Sequence, residues 1–385
     1  MDEETRLIRA GRPPGRALRT VAPPIQRGST VLLPTAADLY DERQQTYGRQ
    51  GLATQDALRD ALSELEAGHT AQLYPSGIAA LSGAMLAVLK AGDEVLAADC
   101  VYRPTRRFCD TVLKRFGVTT RYYPGDLDPT QLLAMTGPAT RLIVMESPGS
   151  LTFEMQDVPA IAARAREKGI LTLIDNTWGA GLLFKPLAHG VDLSVQSLTK
   201  YVGGHSDVFM GAAVTASEAI GRQLTAGIHE MGWSVSPDDA YQMLRGLRTL
   251  PTRMDRHGRN GLEVAHWLKA QPEVIRLLHP ALPGSPGHDL WARDYSGACG
   301  LFGFILQPGP PKAVEALLDT LTLFGLGFSW GGFESLAIHC DPQLGRRQFP
   351  PNLEGPLVRL HVGLESPADL IADLRAGLDA FNALA

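Results

Sequence analysis

Lys200 stands in Ser197-Leu198-Thr199-Lys200-Tyr201, shortly before Gly203-Gly204-His205-Ser206-Asp207, and Asp175 upstream closes the apolar run Leu171-Thr172-Leu173-Ile174. A lysine flanked by hydroxyls, with an acid at the end of a preceding strand, suits a covalent bond to the aldehyde of pyridoxal phosphate. That cofactor needs an amine for its aldehyde and a carboxylate for its pyridinium nitrogen. Each residue alone has a plainer reading, a solvated lysine or a turn aspartate. The further residues along the chain tip the balance.

The lysine amine must lose its proton to attack, which burial and nearby positive charge promote; once displaced by substrate it can take the proton from the α-carbon. Asp175 would hold the ring nitrogen protonated, with Asn176 orienting it. Ser76-Gly77-Ile78 lies between a strand and a helix pattern, where a helix N-terminus and a glycine admit a phosphate; Ser197 and Thr199 add hydroxyls. A Ser-Gly at a helix start is by itself more often a simple cap. Tyr102 follows a strand pattern and could stack on the ring, though a lone tyrosine there is more often core. Arg359 alternates with apolar residues in Val358-Arg359-Leu360-His361-Val362. A charge so placed is costly unless paired, either with a substrate carboxylate, which an arginine binds bidentately, or with a local acid.

Strand candidates at 71–74, 94–98, 119–123, 141–146, 171–175, 193–196 and 211–215 alternate with helical patterns such as 78–89, 104–116 and 158–168. This predicts an α/β fold with a mainly parallel sheet covered on both faces, whose ligands bind beyond the carboxyl ends of the strands. Ser236-Pro237 opens a helical stretch running to about 269. Strands at 300–306 and 357–362 and a last helix at 367–382, capped by Ser366, predict a smaller α+β domain. The expected organisation is an arm at 1–55, an α/β domain at 56–250 and an α+β domain at 251–385. Arg12-Pro13-Pro14 and Ala22-Pro23-Pro24 argue against regular structure in the arm.

The 385 residues carry a net charge of −5 and 44% hydrophobic residues, which gives no reason to expect a nucleic-acid partner. An acidic start without an apolar run, and the absence of any bilayer-length apolar segment, predict a cytoplasmic protein without a membrane partner. Cys100, Cys109, Cys299 and Cys340 lack metal-ligand spacing and read as reduced thiols. No metal is expected. His205 and Asp207 as hydrolase ligands have no supporting spacing, so His205 reads as structural.

Residues 47–374 resemble the cysteine/methionine-metabolism family of fold-type I pyridoxal-phosphate enzymes. The resemblance rests on the Lys200 segment, on Asp175-Asn176-Thr177 and on Arg359-Leu360-His361-Val362-Gly363-Leu364-Glu365. It implies a seven-stranded sheet, Lys200 bonded to the cofactor, Asp175 on the pyridinium, Tyr102 on the ring and Arg359 on the substrate carboxylate. Ser76, Gly77, Ile78, Ser197 and Thr199 would hold the phosphate. It further implies that Tyr47 and Arg49 reach a neighbouring subunit's phosphate from the arm, in a homotetramer of two dimers with shared sites acting on a small amino acid. Glu146-Ser147-Pro148-Gly149-Ser150 and Phe328-Ser329-Trp330-Gly331 are similar to the β-lyase branch, with Ser329 and Trp330 at the substrate. The expected reaction is β-elimination of cystathionine or a related S-substituted cysteine, with Lys200 or Tyr102 protonating the thiolate. A γ-acting member or a non-catalytic cofactor-binding regulator are the alternatives. Arg103, Arg106 and Arg107 depart from the acidic residues of that branch. They read either as a solvated helix face or as a sign of a substrate with a different or anionic tail.

Overall fold

A computed structural model describes residues 1–11, 20–41 and 43–385; the Arg12-Pro13-Pro14 stretch lies outside them. The first sheet comprises β1 (Thr70–Tyr74), β2 (Glu94–Ala98), β3 (Thr119–Tyr123), β4 (Thr140–Glu146), β5 (Leu171–Asp175), β6 (Leu193–Ser197) and β7 (Gly211–Thr215). Their order is β1-β7-β6-β5-β4-β2-β3. β2 through β6 pair in parallel, while β7 runs antiparallel to both β1 and β6. Consecutive residues of β5, β6 and β7 are buried. Neighbours on a strand point to opposite faces, so both faces of this sheet are covered. Helix Gly77–Val88 packs on β6 and β7, and helix Val158–Glu167 on β5.

The second sheet holds β8 (Val274–Leu278), β9 (Leu301–Leu306), β10 (Gly325–Leu326), β11 (Leu336–His339) and β12 (Leu357–His361), in the order β10-β11-β12-β9-β8. All its pairs but β10–β11 are antiparallel. Val358, Leu360 and Val362 enter the core of this second sheet with Phe302, Phe304 and Leu317. The alternation along β12 therefore turns Arg359 and His361 the other way, toward the first sheet.

Several expectations are revised. The stretch from 237 to 269 is two helices, Pro237–Leu247 and Leu250–Lys269. Pro251 has no N–H for the preceding turn, and its ring displaces the carbonyl it would meet there. The run 104–116 is α-helical over Arg103–Phe108 and widens to a π-helical turn over Cys109–Leu113. Ser366 holds the N-cap position of the last helix without a side-chain bond to it. The arm is not wholly irregular: Glu3–Arg9 is a helix, capped by Asp2 with Glu3 and Glu4 in its first turn. It docks on its own chain, with Leu7 buried and the Arg248 guanidinium donating to the Leu7 carbonyl at 2.7 Å.

Candidate active site

The strands β2, β4, β5 and β6 share one direction, so their carboxyl ends gather polar residues along a single edge. Asp175 ends β5 and is in register with Glu146 at the end of β4. Thr177 orients Asp175: its N–H and its hydroxyl donate to one carboxylate oxygen at 3.0 and 2.5 Å. The same hydroxyl accepts the Ser197 N–H at 2.9 Å, tying the end of β6 to the end of β5. Asn176, the residue expected to do this, turns away and donates to the Phe184 carbonyl at 3.0 Å. Burial raises the Asp175 pKa, against the Thr177 bonds and the charge of Lys200.

Lys200 follows β6 in a turn whose carbonyl accepts the Gly204 N–H at 2.8 Å. The buried Arg253 guanidinium braces that turn by donating to the carbonyls of Tyr201 and Val202. The Lys200 amine reaches the Ser329 hydroxyl at 2.8 Å and lies 5.5 Å from the centre of the Trp330 ring. Burial, then the Arg359 charge, lowers its pKa to about 8, opposed by Asp175. Gly331 packs against the lysine backbone with φ +84°; a Cβ there would lie 2.8 Å from the Lys200 carbonyl carbon.

At the other end Ser76 caps helix Gly77–Val88, its hydroxyl accepting the Ala79 N–H at 3.2 Å. A Cβ on Gly77 would meet Ser197 at 2.5 Å, so only glycine leaves this cleft open. The Thr199 hydroxyl accepts the Met210 N–H at 3.0 Å and donates to the Met210 carbonyl at 3.2 Å, which commits its one proton. Ser76, Gly77, Ile78, Ser197 and Thr199 all line one cavity of about 400 Å³ together with Lys200, Asp175, Tyr102, Ser329, Trp330 and Arg359.

Arg359 is buried and donates from one terminal nitrogen to the Ser329 carbonyl at 3.2 Å; its Nε–H has no partner among the described residues. Among the described residues no acid pairs with it, so the local ion pair weighed from the sequence is not there. An orphaned guanidinium N–H, a buried acid with no ion pair among the described residues and a glycine-walled cleft at a helix start fit a cofactor with a ring nitrogen and a phosphate, plus a substrate carboxylate. His361, also on β12, takes the Gly331 N–H at 3.0 Å and so fixes the loop that carries Ser329 and Trp330.

Tyr47 and Arg49 are not brought into this cavity. Both are exposed, and they lie against each other with the Arg49 guanidinium 5.5 Å from the Tyr47 ring centre. The basic run after Tyr102 is not one solvated face. Arg106 is buried, paired with Asp99 and stacked 3.6 Å over Tyr122, while Arg103 and Arg107 are exposed. Sequence reasoning gave Glu146 no chemical role. Its carboxylate accepts the Tyr102 N–H at 2.6 Å, and burial followed by the Asp175 charge raises its pKa well above the usual range. Aligned on adjacent strands in a buried site, the two carboxylates repel, so the pair does not readily carry two charges. The signal was available in the strand register, which aligns the two acids.

Residues 4–379 match the family model described as Cys/Met metabolism PLP-dependent enzyme. The chain is 47% identical over 365 residues to a cystathionine beta-lyase of Bordetella avium, covering 92% of this chain and 91% of that one. It is 41% identical over 386 residues to the cystathionine beta-lyase of Escherichia coli K12, covering 97% of each. Its fold is similar to the crystal structure of cystathionine gamma synthase from Xanthomonas oryzae pv. oryzae in complex with aminoacrylate and cysteine. The TM-score is 0.92 at 32% identity, covering 100% of this chain and 99% of that one.

Proposed function

This chain belongs to the Cys/Met metabolism PLP-dependent enzyme family, and on that premise we propose that it is a carbon–sulfur lyase that cleaves cystathionine by β-elimination. Cystathionine and water give homocysteine, pyruvate and ammonia. The observation that carries the reading is the convergence of Lys200, Asp175 and the unpartnered Nε–H of Arg359 on one cavity. The similarity to two chains named cystathionine beta-lyases, at 41% and 47% identity, supports the choice of the β-carbon.

Pyridoxal phosphate, when bound, supplies the aldehyde that takes the substrate amine and the ring that stabilises negative charge at the α-carbon. Lys200 would hold that aldehyde until substrate arrives and would then serve as the base for the α-proton; a pKa lowered to about 8 by burial leaves a working fraction of its amine neutral at ordinary pH. Asp175, fixed by Thr177, keeps a proton on the ring nitrogen. Arg359 fixes the α-carboxylate, which sets the angle at which the α-proton meets the amine. Ser329 and Trp330 wall the substrate side, and Tyr102 covers the ring. Ser76, Gly77, Ile78 and Ser197 would hold the phosphate, and Thr199 would join them by turning its hydroxyl from the Met210 carbonyl. The departing thiolate takes a proton from Lys200 or Tyr102.

The working unit in this reading is a homotetramer of two dimers, in which Tyr47 and Arg49 complete a neighbouring site. Phe209 and Phe328, 76% and 78% exposed at the rim of the cavity, are apolar surface that such a partner would cover. Product analysis with cofactor-loaded protein and L-cystathionine tests the reaction. Pyruvate with homocysteine is expected. 2-Oxobutyrate with cysteine would move the activity to the γ-carbon, and bound cofactor with no product from any S-substituted cysteine would leave a regulatory binder.

A further inference from the structure

We propose that Glu146 is a positioning residue that, as a neutral carboxyl, fixes the main chain of Tyr102 and so holds the Tyr102 ring in the cavity. The inference rests on the reading above that Tyr102 covers the cofactor ring. Tyr102 is 46% exposed, and among the described residues its hydroxyl has no hydrogen-bond partner. Its place is set by its backbone, whose carbonyl accepts the Arg106 N–H at 3.1 Å and whose N–H, among the described residues, donates to the Glu146 carboxyl alone.

Burial and the groups around Glu146 favour the neutral carboxyl. Asp175 faces it from β5, and Cys100 lies against its carbonyl from the segment after β2. Arg347 bears on it electrostatically but is itself bonded to Glu154 at 2.8 Å and to the Ser150 carbonyl at 2.7 Å. No basic side chain among the described residues forms an ion pair with Glu146. With Asp175 ionised against a ring nitrogen, a second charge at the next strand end would have no counterion. A protonated Glu146 still accepts the Tyr102 N–H through its other oxygen.

Cofactor-free wild type, Glu146→Gln, Glu146→Ala, Tyr102→Ala and the Glu146→Ala/Tyr102→Ala double variant are titrated with pyridoxal phosphate, following tryptophan fluorescence. Glutamine keeps an acceptor without a charge, so Glu146→Gln should bind within about threefold of wild type, with the same dependence on pH between about 6 and 9. Glu146→Ala should weaken binding by about tenfold, the loss expected for one hydrogen bond. The double variant should bind like Tyr102→Ala, because the carboxyl acts through the tyrosine. Loss of binding in Glu146→Gln equal to that in Glu146→Ala would overturn the neutral carboxyl. Additive losses in the double variant would overturn the route through Tyr102. Should Glu146→Ala fail to fold, Glu146→Gln decides alone, wild-type affinity supporting the proposal and lost affinity overturning it. Failure of wild type itself to bind pyridoxal phosphate would instead break the functional reading.

Discussion

The two sheets contribute to the site in different ways. In the first, strands of one direction deliver Asp99, Glu146, Asp175 and Ser197 to a common edge, each at or just past its strand end. In the second, antiparallel pairing sends successive strand ends to opposite edges, so no such row forms. What it offers is one face of one strand: Arg359 and His361 turn toward the first sheet, while Val358, Leu360 and Val362 enter its own core. A parallel sheet gathers chemistry at an edge. An antiparallel sheet lends a single strand and otherwise works as a rigid mount.

Lys200→Ala should make the largest difference, reducing pyruvate release by more than about a thousandfold, because it removes both the covalent anchor and the base; retained activity would break the contrast at its centre. Arg359→Ala, on the mounting side, should lower kcat/KM by about a hundredfold through loss of a charge-assisted bond to carboxylate, and lysine should restore only part of it. Acid should act next. The reactive amine is the neutral one, so uptake of pyridoxal phosphate by cofactor-free protein should slow as pH falls through about 8, by about tenfold per unit below that value, as read by stopped-flow absorbance. Thr177→Val should lower kcat by about five- to tenfold with little change in KM, since it loosens Asp175 and leaves Arg359 in place. Leu317→Ala, deep in the second core, should leave both kinetic constants unchanged while costing about 3 kcal/mol in denaturant unfolding; a kinetic effect there would show that the mount is not passive.

The legible parts of the chain follow the same division. All seven strands of the first sheet show in the sequence, the inner ones because burial on both faces demands apolar runs, and four of the seven keep the expected bounds. β8 and β11 did not show. β8 is partly exposed and β11 is four residues long, so neither carries a clear period. Asp175 and Arg359 stood out because charge in or at the end of an apolar run is rare, and Lys200 because hydroxyl residues flank it downstream of that acid. The choice between Asn176 and Thr177 was not legible, because adjacent side chains leave the strand in opposite directions and only the fold decides which meets Asp175. Arg106 and Arg107 pose the same difficulty on a helix, where one residue of separation parts a buried ion pair from solvent.

Gly331 carries a consequence for how such a chain is inherited. It belongs to the second half of the sequence, yet its missing side chain is the space occupied by the backbone of Lys200 in the first. Recombination that joins the first half of one relative to the second half of another must import a glycine at this place, already turned to positive φ. Without it, the incoming half presses on the lysine itself. The two halves are therefore not interchangeable modules but a matched pair, and the fit between them is recorded at one residue that has no side chain to show for it.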